Sequence, residues 1–83
     1  MNRYELRGSG VGMIEPTLLI DAALKIGATN IHTFNLDDGK NKLKTIRFDC
    51  ETPAIARQIA KACSDLDGYG YCKFNAYGVN KYS

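Results

Sequence analysis

The chain has no tryptophan, one histidine, two prolines and three cysteines among 83 residues. Each scarcity excludes something. His32, the single histidine, has no sequence partner for relay or acid–base chemistry and reads as a structural strand residue. Three cysteines are an odd count, and none stand in C-x-x-C spacing. That argues against a disulfide framework and a zinc site and points to a reducing cytosol. No apolar run is long enough to span a bilayer. The opening MNRYELRGSG has no apolar signal-peptide core, so export is not indicated. Charge of one sign is also lacking: the net is +2, with acids and bases mixed. A strongly nucleic-acid-binding domain carries a larger basic excess.

What is present is a globular composition, 45% hydrophobic, long enough for one domain with one modest core. The stretch from Ile31 to Cys50 organises the rest. Its turn, Leu36-Asp37-Asp38-Gly39-Lys40, combines an Asp-rich type I turn with a glycine able to take positive φ. This predicts a hairpin with a bulge at Gly39, pairing Leu36 with Lys40, Phe34 with Lys42 and His32 with Lys44. In the second strand Ile46, Phe48 and Cys50 alternate with Thr45, Arg47 and Asp49, giving one covered and one wet face. With the bulge, Phe34 and Leu36 join the covered face. With a two-residue Asp38-Gly39 turn, Ile31 and Thr33 join it instead, because a slip of one residue flips every side chain.

On either side lies a strand-plus-helix unit. Residues 2–8 form a strand with Tyr4 and Leu6 inward and Arg3, Glu5 and Arg7 outward. The run Gly8-Ser9-Gly10-Val11-Gly12 is a loop. A helix follows over 16–26, opened by Pro16 and closed by Gly27. Its core stripe is Leu18, Leu19, Ala22, Ala23 and Ile26, widened by Ile20 and Leu24. Strand ends or the C-terminal tail cover those last two, or another protein chain meets them. The second helix, about 53–66, has Thr52 as N-cap, Pro53 in its first turn and Gly68 or Gly70 at its end. Ile55, Ile59, Ala62, Cys63 and Leu66 form its apolar face. The last strand, about 70–77, points Cys72, Phe74 and Ala76 one way and Tyr71, Lys73, Asn75 and Tyr77 the other. All three cysteines fall on core faces. The order is β-α-β, hairpin, α-β. It predicts an α+β domain of the ferredoxin-like split type βαββαβ, with a four-stranded antiparallel sheet and two helices on one face.

Several stretches carry candidate chemistry. The GSGVG loop could offer backbone N–H groups to an anion. It has neither a G-K-[ST] ending nor a G-x-G-x-x-G register, and Glu15 stands where a phosphate would sit. A plain connection is the better reading. On the open sheet face, arginines beside tyrosines suit single-stranded nucleic acid, guanidinium for phosphate and ring for base. The central strands here carry charges rather than the stacking aromatics of RNA-recognition motifs, which leaves a solvated or subunit-covered face at least as good a reading. Lys40, Lys42 and Lys44 near the hairpin tip read as solubilising charges on an edge strand. Asp65 and Asp67 read as turn and cap residues.

Two family resemblances follow from particular residues. Asn35-Leu36-Asp37-Asp38-Gly39 resembles the N-L-x-D-G turn of acylphosphatases, which share this fold. That family binds phosphate with an arginine in the loop entering helix one. Here the loop, GSGVGMIEPT, has no Arg or Lys, so the activity is not expected. The stretch GMIEPTLLIDAALKIGATNIHTFNL resembles the first half of ACT domains, which bind amino acids at subunit interfaces. In size and lack of catalytic apparatus the chain is similar in format to small phage-encoded inhibitors, including anti-CRISPR proteins. The expectation is a non-catalytic protein without cofactor or metal, monomeric or homodimeric, that occupies a macromolecular surface. Its expected contact residues are Arg3, Arg7, Arg47, Tyr71, Lys73 and Tyr77 on the sheet face and Ile20 and Leu24 on helix one. The alternative is an RNA- or single-stranded-DNA-binding module using Arg7, Arg47, Tyr71, Lys73 and Tyr77. A third reading is an ACT-like ligand sensor.

Overall fold

A computed structural model describes residues 2–38 and 41–79 of the chain. The elements run β1 (Asn2–Ser9), α1 (Pro16–Ile26), β2 (Thr29–Asp38), β3 (Asn41–Cys50), α2 (Pro53–Ser64) and β4 (Lys73–Val79). The four strands form one antiparallel sheet in the order β2-β3-β1-β4, with both helices on one face. This is the ferredoxin-like arrangement, and it puts β1 and β3 at the centre.

The caps explain the helix bounds. Pro16 opens α1, and Gly27 takes a left-handed φ of 114° that lets the Ala28 N–H reach the Ala23 carbonyl at 3.0 Å. Thr52 caps α2, its hydroxyl accepting the Ile55 N–H at 3.2 Å. The second helix ends at Ser64, short of Leu66. The Asp67 carboxylate accepts the N–H groups of Tyr69, Tyr71 and Cys72, which ties the following chain into a turn before another helical turn can form. The expected strand over 70–77 accordingly begins later, at Lys73.

The hairpin departs from expectation in register. Asp38 pairs with Asn41, Leu36 with Leu43, Phe34 with Thr45 and Thr33 with Ile46, so Leu36–Lys40, Phe34–Lys42 and His32–Lys44 are not partners. The irregularity lies at the other end of β2, between Thr29 and His32, where Asn30 adopts a φ of 50°. The expected bulge at Gly39, like Lys40, lies outside the described residues. Phe34 therefore shares the outer face with Thr45, and Thr33 lies in register with the inward Ile46 yet is exposed, while Ile31 and Leu36 both pack against the core, so neither alternative holds in full.

The core lies between sheet and helices. Leu6, Leu19, Ile46, Phe48 and Ile59 are its large fully buried members, and Phe48 stacks on Tyr4 with ring centroids 6.0 Å apart. The helix stripes are narrower than periodicity implies. In α1 only Leu19 and Ala23 are fully enclosed; Ile20, Ala22 and Ile26 flank them, while Leu18 and Leu24 are 50% and 56% exposed. Neighbouring helical residues differ by about 100°, so a helix resting on a sheet along Leu19 and Ala23 turns Leu18 outward. In α2 the buried set is Ala56, Ile59, Ala60 and Cys63; Leu66 lies beyond the helix and is exposed.

Cys50, Cys63 and Cys72 are free and buried. Burial pushes the Cys63 thiol up to about 12 and raises the other two from their ordinary value of 9.0. A thiol reacts as its thiolate. In native protein, Ellman's reagent is expected to leave all three untouched, and all three are expected to titrate once guanidinium unfolds the chain. Rapid release of one equivalent from native protein would contradict the burial.

Candidate functional site

The outer face of the sheet is not the plain solvated surface that alternation suggests. Glu5, in the middle of β1, is fully buried there. Its register partners are Arg47 on β3 and Tyr77 on β4. Arg47 donates from Nε to Oε2 of Glu5 at 2.9 Å, and Arg7 pairs with Oε1. Each guanidinium also lies against a ring: Arg47 is 4.3 Å from the Phe34 centroid and Arg7 is 5.5 Å from that of Tyr77. The result is a row across all four strands, Phe34–Arg47–Glu5–Arg7–Tyr77. Beside it Thr45 is buried, its hydroxyl donating to the Leu6 carbonyl at 3.3 Å. Towards the end of the sheet, Arg3 donates to Asp49 at 3.0 Å and to the Asn30 carbonyl at 3.2 Å, and the Asn30 amide donates to the second Asp49 oxygen. His32 stands at the rim, its Nε2 3.1 Å from Asn30 Oδ1.

Of the eight residues singled out by sequence, Arg7, Arg47 and Tyr77 meet around Glu5, and Arg3 extends the same face through Asp49. Lys73 is exposed at the start of β4 in register with Ser9. Tyr71 precedes the strand. On α1, Ile20 packs partly on the core while Leu24 stays in solvent. Glu5 itself had a legible signal: it is an acid placed between two arginines once β1 and β3 are neighbours.

A second surface lies at the opposite chemical extreme. Met13, Leu18 and Leu66 line a groove of about 270 Å³ at the N-terminal end of α1, together with Ile14, Glu15 and Asp67. Met13 is 73% exposed. The adjoining turn presents Tyr69 and Tyr71, both exposed and stacked with centroids 6.3 Å apart. Leu18 and Leu66 read as core by periodicity, and Met13 and Tyr69 carry no period at all. The available signal was Gly68-Tyr69-Gly70-Tyr71, rings set between glycines in a turn.

Asp67 holds this turn. Its carboxylate accepts from Tyr69, Tyr71 and Cys72 N–H at 3.2, 2.7 and 3.0 Å. The Tyr69 N–H bond is the largest cause that holds its pKa below the ordinary 3.8, with Tyr71 and Cys72 adding to it. A carboxyl depressed on folding stabilises the fold above its unfolded pKa, and that contribution is lost as pH falls through the folded value. Asp67→Ala is therefore expected to lower the melting temperature at neutral pH and to flatten its fall on acidification. An unchanged acid limb in a thermal melt series would contradict this role.

The expected loop over Gly8 to Gly12 starts later, since Gly8 and Ser9 belong to β1 and pair with Phe74 and Lys73. A Cβ on Gly8 would stand 2.0 Å from the Lys73 carbonyl oxygen, and one on Gly10 would stand 2.5 Å from Cys72 Sγ. Gly8 thereby lets the end of β1, and Gly10 the turn after it, lie against the start of β4. Among the described residues, no three His, Cys, Asp or Glu side chains are grouped to hold a metal ion, and no helix is long and apolar enough to cross a membrane. Compared with protein-family models, curated proteins and solved structures, the chain matches none.

Proposed function

We propose that this protein is a non-catalytic binding module that acts by covering a protein surface, as small inhibitor proteins of the phage-encoded kind do, working in a reducing cytosol. The observation that carries the reading is the exposed Met13, Leu18, Leu66, Tyr69 and Tyr71 patch. Interfaces are enriched in Tyr and Met, and their binding energy concentrates in a few such side chains. The sheet face offers less to nucleic acid. Its guanidinium groups already serve Glu5, and the Phe34 and Tyr77 rings already carry a cation each, so a stacking base or a phosphate has to displace internal partners.

The test is capture from the native host with tagged protein, in parallel with Leu66→Glu and Tyr69→Ser variants. A specific protein retained by the wild type and lost by either variant, at unchanged melting temperature, is the expected result. Retained nucleic acid that leaves as salt rises and is lost with Arg47→Ala would replace this reading with the nucleic-acid one. A small molecule released on denaturation of a homodimer would favour the ligand-sensor reading.

A further inference from the structure

β4 is an edge of the sheet, since β1 is its sole neighbour in the order β2-β3-β1-β4. The Phe74 N–H donates to the Ser64 hydroxyl at 2.8 Å, away from β1, although Phe74 lies opposite Gly8 in register. In an antiparallel pair, residues whose backbone groups face the neighbour alternate with residues whose groups face away. Ala76 and Gly78 therefore share the outward phase of Phe74. Ser64 closes the first outward N–H; among the described residues no strand pairs with the edge along Ala76 and Gly78.

A groove of about 540 Å³ runs beside that edge, between β4 and α2. Small residues line it on both sides, Ala56 and Ala60 on the helix and Ala76 on the strand, together with Tyr4, Pro53 and Phe74. Nothing stands within 4 Å of where a Cβ on Gly78 would be, so that position is also unfilled. The groove's charged residues are all cations: Arg57 and Lys61, one turn apart on α2, and Lys73 on β4. Arg3, Arg7 and Arg47 are each spent on an internal carboxylate, whereas Arg57, Lys61 and Lys73 have no ion pair among the described residues.

We propose that the β4 edge takes an extended acidic segment of a partner protein as a fifth strand. The main chain of that segment would pair with Ala76 and Gly78. The side chains on its helix-facing side, apolar and acidic in turn, would fill the groove and meet Arg57 and Lys61, and a carboxylate on its other side would meet Lys73. A second copy of this chain fits badly, because edge-to-edge pairing of two β4 strands brings two cationic rims together. The proposal rests on the reading of the chain as a protein-binding module, but it uses a surface separate from the Met13–Tyr71 patch.

The probe is a capped octapeptide with Thr at every second residue and Val and Glu taking turns at the others, so that Val and Glu share one face of the strand, titrated into isotopically labelled protein and followed by amide shifts and hydrogen exchange. Shifts and slowed exchange at Ala76 and Gly78 are expected. So are weakening with salt and an affinity loss of about tenfold or more in Arg57→Glu/Lys61→Glu. That variant should instead bind the same peptide with Lys in place of Glu, which the wild type should not. No shift at millimolar peptide, shifts confined to the Arg47 face, or equal binding of the Lys-containing peptide by wild type would overturn the proposal. Peptide binding that survives Leu66→Glu supports it, and binding abolished by Leu66→Glu assigns the peptide to the patch and overturns it. Failure of the patch reading shows in native-partner capture and not in this titration, so the two ideas fail separately.

Discussion

Alanine in place of Glu5 is expected to cost the domain about 3 kcal/mol in urea denaturation, an unusually large loss for a charged residue on a sheet's outer face. The carboxylate is fully enclosed, and both of its oxygens are engaged by guanidinium groups. Removing it leaves two cations facing each other over a void, and part of the loss is relieved because both arginines reach solvent. The Arg7 side chain is 50% exposed and that of Arg47 is 32% exposed. Exposure also sets the ranking of the partners. An ion pair on a half-exposed arginine is worth roughly 1 kcal/mol or less, so Arg7→Ala should be the mildest of the three and Arg47→Ala intermediate. Glu5→Gln, which keeps the volume but presents an N–H₂ to one guanidinium, should fall between Arg47→Ala and Glu5→Ala. A Glu5→Ala loss below about 1 kcal/mol would mean that the row from Phe34 to Tyr77 is held by its neighbours and not by this carboxylate.

The same residue shows where sequence reading stops. Alternation assigns Tyr4 and Leu6 inward and Glu5 outward, and that is correct as a direction. It carries no information on whether outward means wet. Here the flanking strands supply long side chains that lie flat over Glu5, and that depends on register across four strands. Features decided within a few residues were legible: Pro16 and Gly27 bound α1, Thr52 caps α2, and Cys72, Phe74 and Ala76 face the core. Features decided by competition between distant groups were not. Asp37-Asp38-Gly39-Lys40 is compatible with several turns, and a change of turn by one residue shifts the register of β2 on β3 along its whole length. The end of α2 is set by a carboxylate that accepts from residues two to five places onward, so helical periodicity runs past it to Leu66. The candidate patch lies in that blind region. Its residues either interrupt a period or have none, which is why Met13 and Tyr69 emerge only once the ends of the two helices are placed side by side.

The largest single loss is expected in the core. Phe48→Ala is expected to destabilise the domain by about 3–5 kcal/mol, the range for deleting a buried aromatic ring. Phe48 sits on central strand β3, is fully buried, and stacks on Tyr4 of the other central strand at an interplanar angle of 27°. The site has little capacity to collapse. Its backbone is paired to β1 through Tyr4–Phe48 and Glu5–Arg47, so β3 cannot move inward without breaking the ladder. A domain of this size commonly has about 5–10 kcal/mol in all, so the variant should be only marginally folded at 37 °C. Phe48→Leu, which retains most of the apolar volume, should cost about 1–2 kcal/mol and serves as the control for packing against lost area. Because Phe48 and Glu5 project from opposite faces of adjacent strands, their effects should add to within about 0.5 kcal/mol if the two faces act independently. A larger coupling would mean that the ion network and the core stabilise the central strand pair cooperatively, and that the sheet face is part of what holds the helices in place.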